Sequence, residues 1–437
     1  MSTQIGTADV NQAGHLLVGG VDAVKLATEY QTPLIAYDVS KIRQQIHHFK
    51  AIFDSAQVKY QISYASKAFA TIAMYQLINQ EQIHCDVVSG GELYTAVKAG
   101  FPIDKVSFHG NNKSREELQF ALEHQIGCII IDNFHEIELL RELTEKSQQS
   151  VDVMLRVTPG VSAHTHEYDM TGQEDSKFGF DIKSGQADQA IQQIIATPYL
   201  NPVGIHCHIG SQIFAIEGFI LAAQKMMQLV LDWKNKFNFE TPIVNLGGGF
   251  GIRYTDDEQP LQPEVFIQAI IDEIKKIATK NNLKLPEIWI EPGRSIVGAA
   301  GVSLYTVGSH KSIPGVRNYL AVDGGMGDNI RPALYQAKYE SVVANKMNEP
   351  TAQTVSIAGK YCESGDMLAW DQKLPATQAG DIVAMLDTGA YGYSMASNYN
   401  RNPRPAVVFC ENGKSQLVVK REQWQDMTAL DLPLIES

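Results

Sequence analysis

The sequence predicts an α/β barrel followed by a separate β domain. Three observations carry that prediction. Short apolar runs alternate with helix-like stripes through eight cycles between residues 58 and 291. Chemistry-bearing residues recur just after those runs, where (β/α)₈ barrels keep their reactive groups. After Gly293 the pattern changes to short alternating strands without long helical stripes.

In chain order, residues 1–35 hold HLLVGG and PLIAYD and are expected to return to the β domain. A helix over Lys41 to Phe53 opens the barrel segment, 36–290. Its eight strands are Val58 to Ala65, Ile83 to Val88, Val106 to His109, Cys128 to Ile131, Val153 to Val157, Val203 to Ile209, Ile243 to Leu246 and Ile288 to Ile290. Helical periodicity between them is clear over Ser114 to His124, Phe134 to Thr144, Gln186 to Ala196, Glu217 to Asn235 and Pro263 to Lys280. The β domain, 291–437, contributes VSLYTVG, NYLAVDGG, TVSIAG, DIVAMLD, AVVFC and SQLVVKR, with Asn412 and Gly413 as a hairpin turn between the last two.

A chain of 437 residues, 44% hydrophobic, can bury a large core. A net charge of −13 without a dense Lys/Arg stripe argues against nucleic acid as a partner. Five scattered cysteines suit reduced thiols, and no apolar run approaches the roughly 20 residues of a membrane helix. The expected setting is the cytoplasm, with no signal peptide in MSTQIGTADVNQAG.

Lys67 stands where the first strand turns into a helix. Alone it would be a solvated surface charge, but HCHIGS, GGGFG, EPGR and CESGD follow it. A pyridoxal phosphate enzyme must anchor a dianion, keep a pyridine nitrogen protonated, hold the ring flat and offer a lysine to an aldehyde. Gly247, Gly248 and Gly249 after strand seven, with Ser211 after strand six, could cradle the phosphate, although a tight turn without ligand fits the glycines as well. Glu291 at the end of strand eight either pairs with Arg294 or faces the pyridine nitrogen, freeing Arg294 for a phosphate or carboxylate. A carboxylate there keeps the ring a strong electron sink, which favours decarboxylation over racemisation. His208 suits stacking on a planar cofactor; a metal shared with His206 on the same face competes, but Cys207 points to the opposite face and no carboxylate or cysteine completes a tetrahedral set at this strand. Asp86 and Arg156 could orient the cofactor or form structural ion pairs. Cys362 is either a small buried hydrophobe or a proton donor to a carbanion. Glu363 beside it has no apolar periodicity to explain it, and Tyr391 is either a ligand phenol or a packing residue.

In this order the motifs resemble the fold-type III pyridoxal phosphate decarboxylases. The likeness runs from about residue 30 to the C-terminus through YASKAF, CDVVSGGEL, FHGNNKS, HTHEYDMTGQEDSKFGF, HCHIGSQ, LGGGFGIRY, EPGRSIVG, RPALYQAKY, CESGD and DTGAYGYSM. Exchanges such as Met170 before Thr171 and Gly172 fall beside, not on, matched catalytic positions. The resemblance implies an alanine-racemase-like barrel with a C-terminal β-sandwich or barrel domain, and a head-to-tail homodimer with shared active sites. It implies Lys67 as the Schiff-base lysine, His208 as the stacking group and Glu291 as the pyridinium partner. Ser211, Gly248, Gly249, Gly293, Arg294 and Tyr391 would hold the cofactor, and Cys362 and Glu363 would enter from the neighbouring subunit.

A substrate with an amino acid head at each end needs cations at the far end of its pocket, whereas lysine or ornithine needs only an anion. Arg294, Arg331 and Tyr335 match the family's distal-carboxylate group and Glu363 its distal-ammonium partner, with Tyr391 also reaching the substrate. The expected activity is decarboxylation of meso-2,6-diaminopimelate to L-lysine, the last step of a lysine pathway. A D-ornithine or D-lysine decarboxylase is the nearest alternative, and a non-catalytic regulatory homologue would be free to lose Lys67, Cys362 and Glu291.

Overall fold

The computed structural model of the chain describes residues 9–161 and 176–435. The part of the HTHEYDMTGQEDSKFGF motif before Ser176, including Met170, Thr171 and Gly172, lies outside them. The chain forms two compact units. One comprises 45–252 and 260–296; the other comprises 1–44, 253–259 and 297–437.

The first unit is an eight-stranded parallel barrel. Its strands are β1 (Tyr60–Ala65), β2 (His84–Val87), β3 (Val106–Phe108), β4 (Cys128–Ile131), β5 (Val151–Thr158), β6 (Leu200–His206), β7 (Ile243–Asn245) and β8 (Glu287–Ile290). They pair in sequence order, β8 returns to β1, and β5 pairs with β6, so no edge is left open. All eight strands stand where apolar runs predict them, and the helices Gln186–Ala196 and Pro263–Lys280 match their expected bounds. Inside, Cys128, Ile130, Met154 and Trp289 form a buried layer with Val203 and Ile243 packed against it. That layer fills the barrel, leaving polar chemistry to the strand ends.

Local signals fix the helix starts. Ser114 caps Arg115–Glu123 in a complete capping box with Glu117, and Asn133 caps Phe134–Ser147. Lys113 and Glu136 then make a buried ion pair at 2.7 Å. The ammonium also donates to the carbonyls of Gly110 and Ile130, so it is fully solvated by protein and locks the loop after β3 to the end of β4.

The second unit is built on a mixed sheet ordered Met367–Leu374, Gln353–Ala358, Arg317–Val322, Gly301–Ile313, Leu34–Asp38, Ala406–Glu411 and Lys414–Val419. Leu34–Asp38 is buried along nearly its whole length and runs antiparallel to Gly301–Ile313 and parallel to Ala406–Glu411. Asn412 and Gly413 both take positive φ in the last hairpin, as an Asn-Gly turn requires. Ser341–Val343 and Met367–Leu374 are strands that sequence pattern does not single out. The expected domain breaks after residues 35 and 290 compare with unit boundaries at 44 and 296, so Glu291, Gly293 and Arg294 belong to the barrel unit.

In this second unit Asp328 is buried, its Oδ2 accepting from Gly325 N at 3.0 Å. Burial, opposed by that N–H and reinforced by Asp323 and Asp366, pushes its carboxyl up to about 7. The folded state therefore holds a proton that the unfolded chain releases near pH 4, and the stability this group contributes falls as pH rises from there to about 7. Asp328→Asn, which keeps an acceptor without the charge, should gain about 2–3 kcal/mol more at pH 8 than at pH 5 in urea unfolding.

Candidate active site

Every barrel strand delivers a polar group at its C-terminal end. In strand order these are Lys67, Asp86, His109, Asp132, Arg156, His206 with His208, Asn245 with the glycine run, and Glu291. The arrangement follows from parallel pairing, which puts all eight strand ends on one face.

Glu291 is the centre. Its carboxylate is buried, and its Oε1 accepts from Asn245 Nδ2 at 2.7 Å while Oε2 meets His206 Nε2 at 3.0 Å. His109 Nε2 stands 3.0 Å from Oε1, on a more bent approach than His206 makes. The two imidazoles pack edge to face, 4.9 Å between centroids. Burial would raise the Glu291 carboxyl, but attraction and hydrogen bonds from His109 and His206 outweigh it and hold the group well below its usual range. Burial pushes both imidazoles down, His206 to about 4. The structural alternative, a Glu291–Arg294 pair, is not what forms among the described residues. Arg294, buried, donates from Nη2 to Ser211 Oγ at 3.0 Å.

Lys67 lies exposed in the single turn Ser66–Ala68 after β1. Asp86, buried, accepts from Ser66 N at 3.2 Å, and burial, reinforced by Glu291, raises its carboxyl well above the ordinary range. His208 is half-buried; desolvation, then Lys67 and Arg156, push its imidazole well down, so the ring is neutral. Arg156 lies over the Phe178 ring at 4.2 Å, and its Nε is 3.9 Å from Asp132 Oδ1, so the ion-pair reading of Arg156 is realised.

The glycine run is a surface where backbones touch. A Cβ on Gly248 would stand 2.1 Å from the Glu291 carbonyl oxygen, and one on Gly249 would stand 2.2 Å from the Gly210 carbonyl oxygen. A Cβ on Gly293 would meet the Ala65 methyl at 2.9 Å. Gly247 and Gly249 take positive φ. No side chain can intrude there, and the Gly248 N–H is directed toward His208 Nδ1 at 3.4 Å. A glycine backbone clear of side chains, a hydroxyl and a guanidinium from Ser211 and Arg294, a flat neutral imidazole and a buried carboxylate are the kind of set that pyridoxal phosphate needs. These residues fit that cofactor.

The second unit carries its own constellation. The Arg331 guanidinium is buried, with Nε donating to Tyr339 Oη at 2.9 Å. It lies 5.3 Å from the Tyr335 ring centroid and 5.8 Å from those of Tyr254 and Tyr391. Among the described residues it has no carboxylate partner. Tyr391 takes positive φ in the turn after Ile382–Met385. Cys362 and Glu363 are exposed in the loop between Gln353–Ala358 and Met367–Leu374, the Cys362 N–H donating to Asn400 Oδ1 at 2.9 Å.

Six residues of these groups escape sequence reasoning, among them Asp132, the partner of Arg156. His109 ends the third apolar run and has no partner until β8 is placed beside it. Asn245 reads as a strand terminus. Glu92 follows Ser89 at capping spacing, yet its carboxylate serves Val88 N at 2.7 Å and Ser66 Oγ at 3.2 Å, bracing the Lys67 turn. Tyr254 and Tyr339 look like ordinary core aromatics. The set of metal ligands judged incomplete on the sixth strand does acquire a carboxylate, since His109, His206 and Glu291 converge. Both separations are 3.0 Å, but only His206 makes a hydrogen bond with Glu291; His109 Nε2 approaches at too bent an angle.

Residues 39–298 match the family model for the pyridoxal-binding domain of pyridoxal-dependent decarboxylases. The chain is 59% identical over 428 residues to a diaminopimelate decarboxylase of Bacillus subtilis strain 168, covering 98% of each chain. It is 57% identical to one from Bacillus methanolicus, covering 97% of this chain and 98% of the other. A crystal structure of diaminopimelate decarboxylase from M. jannaschii in complex with L-lysine superposes with a TM-score of 0.90 at 36% identity, covering 98% of both chains.

The glycine cradle yields a direct test. Gly248→Ala forces a methyl against the Glu291 backbone, and the purified variant should retain less than a tenth of the pyridoxal phosphate held by the parent after dialysis, read from visible absorbance.

Proposed function

The chain belongs to the pyridoxal-dependent decarboxylases, and from that membership we propose that it removes one carboxylate of meso-2,6-diaminopimelate to give L-lysine and carbon dioxide. The observation that carries the substrate is Arg331, a buried guanidinium solvated by four tyrosines and by no acid among the described residues. A buried cation kept without a counter-ion suits an anionic ligand. Lysine or ornithine has no carboxylate at its far end to fill that role. The names of the similar decarboxylases support the same substrate.

Pyridoxal phosphate, bound in the barrel, supplies the electron sink that accepts the pair left when a carbon–carbon bond breaks. The chain's residues do the rest. Lys67 offers Nζ to the aldehyde. Gly248, Gly249, Gly293, Ser211 and Arg294 hold the phosphate, with Arg294 also within the substrate's reach. His208, neutral, covers a ring face, while Asp86 and Arg156 steady the strand ends beside it. Glu291 keeps the ring nitrogen protonated. Arg331, Tyr335 and Tyr391 take the distal carboxylate, and Glu363 takes the distal ammonium. Cys362 gives its Sγ proton to the α-carbon that has lost carbon dioxide, and the thiol is reprotonated from solvent.

The exposure of Cys362 and Glu363 fits delivery to a second copy of the chain, so we assign a homodimer with shared sites. No helix among the described residues is long and apolar enough to cross a membrane, and the free cysteines fit a cytoplasmic location.

Carbon dioxide release should occur from meso-diaminopimelate and require pyridoxal phosphate; release from L-lysine, L-ornithine or D-ornithine instead would refute the substrate. Lys67→Ala should abolish both turnover and the visible band of bound cofactor. Mixing Lys67→Ala with Cys362→Ala subunits should restore about a quarter of the parent activity if the thiol is delivered in trans, and none if each chain is self-sufficient.

A further inference from the structure

We propose that His109 and His206 are positioning residues for the cofactor's ring nitrogen: they hold the Glu291 carboxylate with neutral N–H donors, so that it keeps its full negative charge and one directed lone pair for that nitrogen. The inference rests on the assignment of Glu291 to the ring nitrogen made above.

The argument begins with acceptor counting. A carboxylate offers roughly four lone-pair positions. Oε1 accepts from Asn245 Nδ2 at 2.7 Å and has His109 Nε2 at 3.0 Å on a bent approach, while Oε2 meets His206 Nε2 at 3.0 Å. One position on Oε2 remains. The donors are themselves fixed. Asn245 Oδ1 accepts from Gly247 N at 2.9 Å, which sets the amide so that its NH₂ must face Glu291. The Glu291 N–H in turn donates to the Gly247 carbonyl at 2.8 Å, tying the carboxylate's own backbone to the glycine cradle.

Tautomers follow from the same contacts. An anion accepts, so the His206 Nε2 carries hydrogen and its Nδ1 is a bare lone pair. That Nδ1 is buried and lacks a hydrogen-bond partner among the described residues, a state that suits a lone pair far better than an N–H. An imidazolium would need a second acceptor at Nδ1.

Neutrality is the functional content. Two cations against Glu291 would cancel its charge, and the ring nitrogen would then have no anion to keep it protonated. Neutral dipoles solvate the buried charge without cancelling it, as burial of both imidazoles ensures. An arginine or lysine in either place would remove the electron sink while leaving the carboxylate well packed.

The test compares two probes on the purified apo-protein: pyridoxal phosphate and its 1-deaza analogue, in which the ring nitrogen is a C–H. The parent should bind pyridoxal phosphate at least tenfold more tightly than the analogue; equal binding would overturn the ring-nitrogen assignment itself, and the inference with it. If the parent discriminates, His206→Leu and His109→Leu should each lose most of that preference while binding the analogue within about threefold of the parent. His206→Gln and His109→Gln, which keep an N–H near the Nε2 position, should restore the preference. Leu variants that discriminate like the parent, or that lose both ligands alike, overturn the inference. A measurement without variants covers failure of the Leu forms to fold. Histidine ¹⁵N spectra of the intact protein at neutral pH should show the His206 Nε2–H tautomer, and an imidazolium there would overturn the proposal.

Discussion

A buried carboxylate that must stay charged is the constraint on which this barrel's reactive face depends. An isolated anion removed from water costs many kcal/mol, and a protein meets that cost by pairing it or by surrounding it with dipoles. Glu291 has dipoles from three other strands: His109 follows β3, His206 ends β6 and Asn245 ends β7. Satisfying one side chain therefore fixes the relative height of four strand ends. Because Asn245 also anchors Gly247, the glycine run inherits its position from the same network.

Glycines make that network possible by letting backbones meet where side chains would collide. Gly248 abuts the Glu291 carbonyl, and Gly249 abuts that of Gly210. The backbone after β7 is thereby kept clear of side chains on the face that carries Ser211 and Arg294. The Lys113–Glu136 pair works in the opposite manner. It is an internally satisfied ion pair whose charges are spent on each other and on two carbonyls, and it stiffens the loop that follows His109.

The repeating part of the fold was legible because each strand and helix advertises itself locally. Eight apolar runs suffice to place eight parallel strands, and Ser114 and Asn133 mark their helices unaided. What pattern could not supply was partnership at long range. Leu34–Asp38 lies between strands that begin more than two hundred and fifty residues later in the chain, a relation invisible to periodicity. Met367–Leu374 contains Asp371 at positive φ, which breaks the alternation that would have marked it. His109 failed to stand out for a related reason. A histidine ending an apolar run is ambiguous until the strand opposite it is known to end in a carboxylate. Lys67, His208, Glu291 and Arg331 could be nominated in advance because they stand in ordered motifs whose residue types suggest chemistry.

The two units solve a common electrostatic problem with opposite signs. Glu291 is an anion held by neutral imidazoles and an amide; Arg331 is a cation held by a phenol oxygen and three aromatic faces. Oppositely charged side chains would have stabilised either group more cheaply, yet each would then have arrived already neutralised. Dipoles and ring quadrupoles lower the cost of burial while leaving the net charge intact. A charge preserved in this way is available to a ligand of the complementary sign, and burial strengthens the interaction by excluding competing water. That is why the identity of the neutral neighbours matters as much as that of the charged residue. In this chain a histidine or tyrosine beside a buried charge decides whether that charge is structural or remains free to act on what binds.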